Sequence, residues 1–261
     1  MKYIDIHSHL NLPEFENDID EAIQRLKETD TETIVVGTDY ETSKKAVEIA
    51  NTYDGVYACI GIHPVDDKTK IFEKDKFEEL IKNKKVVAIG ECGLDYFHAD
   101  KNDPQEVARQ QQLFLDQIEF ALEKDLPIMI HARNAYEEIL EILKPLVKEN
   151  GEKLRGNVHF FAGDVATAKR FIDIGFTLSF TGVITFTHDY DEVIKTTPLH
   201  MLMSETDSPY VAPVPYRGKR NEPSYVLEVV KKIAEIRGEE LETVEKALIS
   251  NAKRVFKLNL A

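Results

Sequence analysis

The chain has 261 residues, 43% of them hydrophobic, and a formal net charge of −14. That size suits one globular domain with a substantial core. The acidic balance argues against a general affinity for nucleic acid, which needs clustered Lys and Arg, and no run of ~18 apolar residues offers a membrane span.

A first strand is expected over 2–6. The run Tyr3-Ile4-Asp5-Ile6-His7-Ser8-His9-Leu10 alternates apolar and polar residues, as a half-buried strand does, and period 2 puts His7 and His9 on one side. Ile19, Ala22, Ile23 and Leu26 follow at helical spacing. Strand two, 33–37, leads into Thr38-Asp39-Tyr40-Glu41, which reads as a capping box opening the next helix. Strands three and four are expected over 56–61 and 85–90, the fourth ending against Glu91. A helix carrying Phe114, Ile118, Ala121 and Leu122 precedes strand five, 127–131. Strands six, seven and eight occupy 156–160, 175–180 and 200–205. Val226, Val229, Val230, Ile233 and Ala234 mark a further helix, and a last one falls near 239–256.

Several of these strands are apolar throughout, as parallel strands covered on both faces are. No linker, low-complexity tract or repeat interrupts the series. Residues 1–261 are therefore read as a single α/β domain, a (β/α)8 TIM barrel with its site at the C-terminal ends of the strands. An open doubly wound sheet is the alternative; no G-x-G-x-x-G follows the first strand, which counts against its dinucleotide-binding form. Cys59 and Cys92 are too few for a disulfide framework and read as buried thiols. With no signal-like segment at the start, a cytoplasmic location is expected.

Five of the eight histidines fall at the downstream ends of expected strands. His7 and His9 follow strand one, His63 strand three, His131 strand five and His159 strand six, joined by Glu91 after strand four and Asp207 after strand eight. Imidazoles and carboxylates around one barrel mouth are ligand chemistry for a pair of divalent ions. A carboxylate such as Glu91 can bridge two cations, and bridged ions activate water and clamp a phosphate ester. Asp207 suits a combined role as ligand and base. His63, before a proline, is equally a loop-fixing hydrogen bonder or a substrate contact. His98, His188 and His200 lie off the pattern and read as surface or packing residues. Arg133 is placed to fork a phosphate. The Gly/Pro loop 213–223, with Arg217, Lys219 and Arg220, suits an anionic substrate as well as it suits an ordinary solvated loop.

His7-Ser8-His9-Leu10, Gly61-Ile62-His63-Pro64, Gly90-Glu91-Cys92-Gly93-Leu94-Asp95-Tyr96, Ile130-His131-Ala132-Arg133, Glu205-Thr206-Asp207-Ser208-Pro209-Tyr210 and Arg217-Gly218-Lys219-Arg220-Asn221-Glu222-Pro223 occur in that order. Over essentially its whole length the chain resembles the TatD family of metal-dependent deoxyribonucleases, within the amidohydrolase superfamily. The resemblance implies a cytoplasmic enzyme cleaving DNA phosphodiester bonds, often as a 3′→5′ exonuclease, with two divalent ions (Mg2+, Mn2+ or Zn2+). It implies His7, His9, Glu91, His131, His159 and Asp207 as metal ligands, Glu91 as the bridge and Asp207 as the group that orients or deprotonates water. His63, Arg133 and Glu205 match positions behind the ligands or against substrate. Two departures stand out. The sixth-strand block usually reads His-Cys-Phe-Ser-Gly, and here Phe160 and Ala162 replace Cys and Ser, which puts pocket shape or a hydrogen bond in question. Strand four has no lysine at its tip for a carbamylated bridge, since Lys84 and Lys85 sit at its other end.

The leading expectation is thus a two-metal hydrolase of single-stranded or frayed DNA ends, probed with no membrane and no obligate protein partner, as a monomer. A two-metal hydrolase of a small ester, amide or phosphoester is the second reading. A binding module with structural metals is the third, disfavoured because structural sites rarely gather ligands from five strand tips.

Overall fold

Eight strands lie side by side in chain order, every neighbouring pair parallel, in a computed structural model that describes residues 1–258. They are β1 (Tyr3–Ser8), β2 (Thr31–Val36), β3 (Val56–Ile60), β4 (Val86–Asp95), β5 (Ile128–Arg133), β6 (Gly156–Val158), β7 (Thr177–Phe180) and β8 (Leu202–Ser204). Helices α1 (Ile19–Glu28), α2 (Tyr40–Thr52), α3 (Lys74–Ile81), α4 (Pro104–Lys124), α5 (Tyr136–Asn150), α6 (Val165–Asp173) and α7 (Asp191–Thr196) alternate with them, and α8 (Val226–Arg237) and α9 (Leu241–Phe256) follow β8. This is a TIM barrel, as expected from the sequence.

The seam between β8 and β1 is closed mainly beyond β8. Ser8 bridges to Ser208, the Asp207 N–H donates to His7 O (2.9 Å), and the His9 N–H donates to Ser208 O (2.8 Å). Asp5, fully buried, reinforces it by accepting from the Thr206 N–H (2.8 Å) and the Thr206 hydroxyl (2.6 Å). Ile4, Ile6, Ile34, Val36, Cys59 and Met203 form one apolar cluster with Ala252, Val255 and Phe256 of α9. Layers of branched side chains fill such a barrel interior, and α9 packs against them.

Boundaries differ from expectation in instructive places. β4 runs on to Asp95, five residues beyond its expected end, so Glu91 lies within a strand. β6 stops at Val158, and the chain turns left-handed at Phe160 (φ 46°). The capping box of α2 sits one residue later: Asp39 is the cap and accepts from the Thr42 N–H, while the Thr42 hydroxyl accepts from the Asp39 N–H.

Candidate metal centre

Glu91 is held by glycines. Gly90 (φ 149°) and Gly93 (φ 147°) both take backbone conformations that L side chains rarely adopt. A Cβ on Gly93 would lie 2.0 Å from His131 O, and one on Gly90 2.5 Å from Met129 O. Only glycine lets β4 press this closely on β5, and the result carries Glu91 into the barrel mouth, buried.

The Glu91 carboxylate faces two groups of donors. On one side, His7 Nε2 lies 3.4 Å and His9 Nε2 3.9 Å from Oε2. The two imidazole nitrogens are 3.2 Å apart, and Asp207 Oδ1 is 3.8 Å from the first and 3.4 Å from the second. Ligands of one tetrahedral zinc ion sit about 3.3–3.4 Å from each other, given metal–nitrogen bonds of about 2.0–2.1 Å. His9 Nδ1 is 2.9 Å from Val36 O, which places a ring proton on Nδ1, so that Nε2 is the nitrogen able to bind a metal once the ring is neutral. An imidazole nitrogen set between two carboxylates, Glu91 and Asp207, fits a cation.

On the other side, Oε1 is 2.8 Å from His131 Nδ1, 3.0 Å from His159 Nε2 and 3.6 Å from His63 Nε2. Each of these rings has a carboxylate behind it. Asp95 Oδ2 lies 3.1 Å from His131 Nε2, Glu205 Oε1 3.4 Å from His159 Nδ1, and Asp66 Oδ1 2.7 Å from His63 Nδ1. Carboxylate–histidine pairs of this kind fix the tautomer and raise ligand basicity at metal sites.

Proton affinities follow from these neighbours. Burial opposes ionisation of Glu91, but His159, His63 and His131 outweigh it and hold the carboxyl well below its usual range. Asp207 is buried too, yet the hydrogen bond from His9 and the charge of the histidines keep it low. Burial would strip His9, His131 and His159 of their protons; Asp207 raises the first, Asp95 and Glu91 the second, Glu91 and Glu205 the third. His7 alone is lowered, by burial and then by His159, whose ring stacks on it at 3.8 Å.

A cavity of about 910 Å³ opens over these groups, lined among others by His63, His98, Arg133, Phe160, Tyr190 and Tyr210. Its lining contains one arginine and no lysine: Arg133, whose guanidinium lies 4.3 Å from the centre of the Phe97 ring. All six expected metal ligands therefore converge, with His63 and Arg133 beside them. Three other expected substrate contacts, Glu205, Arg217 and Arg220, do not line the cavity. Glu205 has no exposed surface and accepts from the Ser179 hydroxyl (2.7 Å) and the Phe160 N–H (2.5 Å), so it serves His159 and cannot reach substrate. Arg220 forks onto Asp18 (2.7 and 2.5 Å) and lies over Phe15, fastening loop 213–223 to α1. Arg217 rests on the Phe186 ring, outside the cavity wall. In the sixth-strand block that departs from the resemblance, Phe160 lines the cavity and the Ala162 N–H donates to the Tyr136 hydroxyl (2.8 Å).

Sequence reading passed over Asp5 and Asp95. Each carried a signal: Asp5 shares the alternation of His7 and His9, and Asp95 is followed at i+3 by His98, to which it is bonded (2.8 Å).

A (β/α)8 barrel with paired imidazole and carboxylate donors at the strand tips defines a metal-dependent hydrolase of amidohydrolase-like fold. A family described as TatD related DNase matches residues 4–257, and the chain belongs to that family. It is 43% identical to the uncharacterised metal-dependent hydrolase YabD of Bacillus subtilis, over 98% of this chain and 99% of that one. It is 31% identical to the uncharacterised metal-dependent hydrolase YcfH of Escherichia coli K12, over 99% and 97%. Among solved structures, the TatD homologue YJJV of E. coli K12 superimposes with a TM-score of 0.89 at 29% identity, covering 98% of both chains. A dihydroorotase of Campylobacter jejuni (TM-score 0.59, 14% identity, 98% of this chain and 83% of that one) shares the fold alone. No helix among the described residues is long and apolar enough to cross a membrane.

Proposed function

We propose that this hydrolase removes nucleotides from the 3′ ends of single-stranded or frayed DNA, as one catalytic domain using two divalent ions, magnesium, manganese or zinc. We place it in the cytoplasm as a monomer with no obligate protein partner; the free, buried Cys59 and Cys92 suit a reducing compartment. One observation carries the two-metal reading: the two oxygens of Glu91 face different donor groups, Oε2 towards His7 and His9, Oε1 towards His131 and His159.

His7, His9 and Asp207 would hold one ion, His131 and His159 the other, with Glu91 shared. Bound there, the ions supply Lewis-acid polarisation of the phosphate and activation of water. They also offset the carboxylates of Asp66, Glu91, Asp95 and Asp207 in the cavity wall, which would otherwise repel DNA. Arg133 is the fork for the phosphate oxygens. The Asp207 carboxylate, kept ionised by His9, accepts the proton of the attacking water. The cavity is of the size that takes a small ligand, about 300–1,000 Å³, which favours a terminal nucleotide over a stretch of duplex.

The test is digestion of an end-labelled single-stranded oligonucleotide by metal-stripped protein, with magnesium, manganese or zinc restored, beside Asp207→Asn and Glu91→Gln. A ladder growing from the 3′ end, dependent on metal and lost in both variants, is expected. No cleavage by protein carrying two ions would turn the reading to a small ester or phosphoester substrate.

A further inference from the structure

Asp95 holds a second histidine besides His131. Its Oδ2 accepts from His98 Nδ1 (2.8 Å) as well as lying 3.1 Å from His131 Nε2. Its Oδ1 accepts from the Phe97 and His98 N–H groups (2.9 and 2.8 Å). Four polar contacts fix this carboxylate, and through it the His98 ring. With Nδ1 committed to Asp95, Nε2 is the free end of the ring, and His98 lines the metal-site cavity with its side chain 51% exposed. The placement matters. His98 follows β4, and Asp207 follows β8; in a ring of eight strands in chain order these are opposite walls of the mouth. In-line displacement at phosphorus needs the attacking and leaving oxygens on opposite sides.

Building on the phosphodiesterase reading above, we propose that His98 is the catalytic general acid that protonates the leaving oxygen. The water oxygen bonds to phosphorus while its proton passes to the Asp207 carboxylate. The bond from phosphorus to the 3′-oxygen of the preceding nucleotide breaks, its electron pair staying on that oxygen. His98, as imidazolium, gives the Nε2 proton to it and regains one from solvent. Asp95 is the positioning residue behind it, in the manner of the carboxylate that orients a catalytic imidazole.

The experiment compares two esters with wild-type and His98→Gln protein, both loaded with manganese. One is a thymidine dinucleotide, whose alkoxide leaving group needs a proton; the other is thymidine 5′-(p-nitrophenyl phosphate), whose nitrophenolate does not. His98→Gln is expected to lower kcat on the dinucleotide by roughly 10²–10⁴-fold, and on the nitrophenyl ester by at least about ten-fold less. Independently, in protein loaded with diamagnetic magnesium or zinc, the His98 ring resonances, assigned by their loss in the variant, should shift when thymidine 5′-monophosphate is added. Equal losses on both esters, or unmoved His98 resonances, would overturn the role. So would loss of metal from His98→Gln, which would make His98 a support for Asp95. A wild-type enzyme inactive on both esters would sink the phosphodiesterase reading itself, and the proton donor with it.

Discussion

The two halves of the candidate metal centre are built differently. The His7–His9–Asp207 half is fastened by main chain: His9 Nδ1 to Val36 O, Asp207 N–H to His7 O, and Ser8 paired with Ser208 across the barrel seam. Behind the Glu91–His131–His159 half stand side-chain carboxylates, Asp95 and Glu205. Main-chain contacts cannot be removed by substitution, whereas a carboxylate can be exchanged for its amide with little change in shape. The seam half is thus tied to fold integrity, and the other half is where ligand basicity can be adjusted.

The sharpest way to break the comparison is to remove what both halves share. Glu91→Gln is expected to lose both ions' mutual anchor and at least about 10³-fold in kcat, beyond the removal of one general base; metal analysis alongside turnover checks it. Retention of two ions with near-normal turnover would refute the bridging geometry. Next come Asp95→Asn and Glu205→Gln, which act on one half alone. Each should weaken one of the two metal-binding steps by roughly 10–100-fold and spare the other, as read by calorimetric titration of the metal-free protein. A matching loss in both steps would mean that the halves do not bind separately.

Protons sharpen it further. In the metal-free protein His9, His131 and His159 hold protons more tightly than a free imidazole does. Ligation needs them neutral, so loading near neutral pH should release protons, and affinity should fall as pH is lowered. Calorimetry in buffers of different ionisation enthalpy counts them. The same raised values stabilise the folded metal-free chain below the ordinary imidazole pKa, an effect lost as pH rises through the folded value. The smallest effect on catalysis belongs to Arg220→Ala. It should leave kcat within about two-fold while costing about 1–3 kcal/mol of stability through the lost charge-assisted bonds to Asp18, seen as a lower Tm.

The order of the strands and the convergence of His7, His9, Glu91, His131, His159 and Asp207 were legible because both follow from local pattern: apolar runs of strand length, six of the eight followed by a ligand-type residue. What was not legible depends on partners far away in the chain. Arg220 looked free to meet an anion, yet Asp18, 202 positions earlier, neutralises it. Glu205 looked available to substrate until Ser179 and Phe160 enclosed it. β4 appeared to end at Glu91 because a buried carboxylate interrupts an apolar run; its continuation to Asp95 needs Gly93 against His131 O, a contact between strands. His98 lay outside the strand-tip pattern because β4 was expected to end at Gly90, five residues short of its true tip at Asp95.

The seam between β1 and β8 has a consequence for the life of the chain. His7 is made some 200 residues before Asp207, to which it is hydrogen-bonded, so the seam half cannot exist on a polypeptide that still lacks the eighth strand. The 201-position separation between Asp5 and Thr206 makes this a pairing that waits for every intervening strand to be made. Hydrolytic capacity is therefore withheld until synthesis has passed the eighth strand, and a truncated or misclosed product carries the histidines of a metal-dependent hydrolase without the means to act as one.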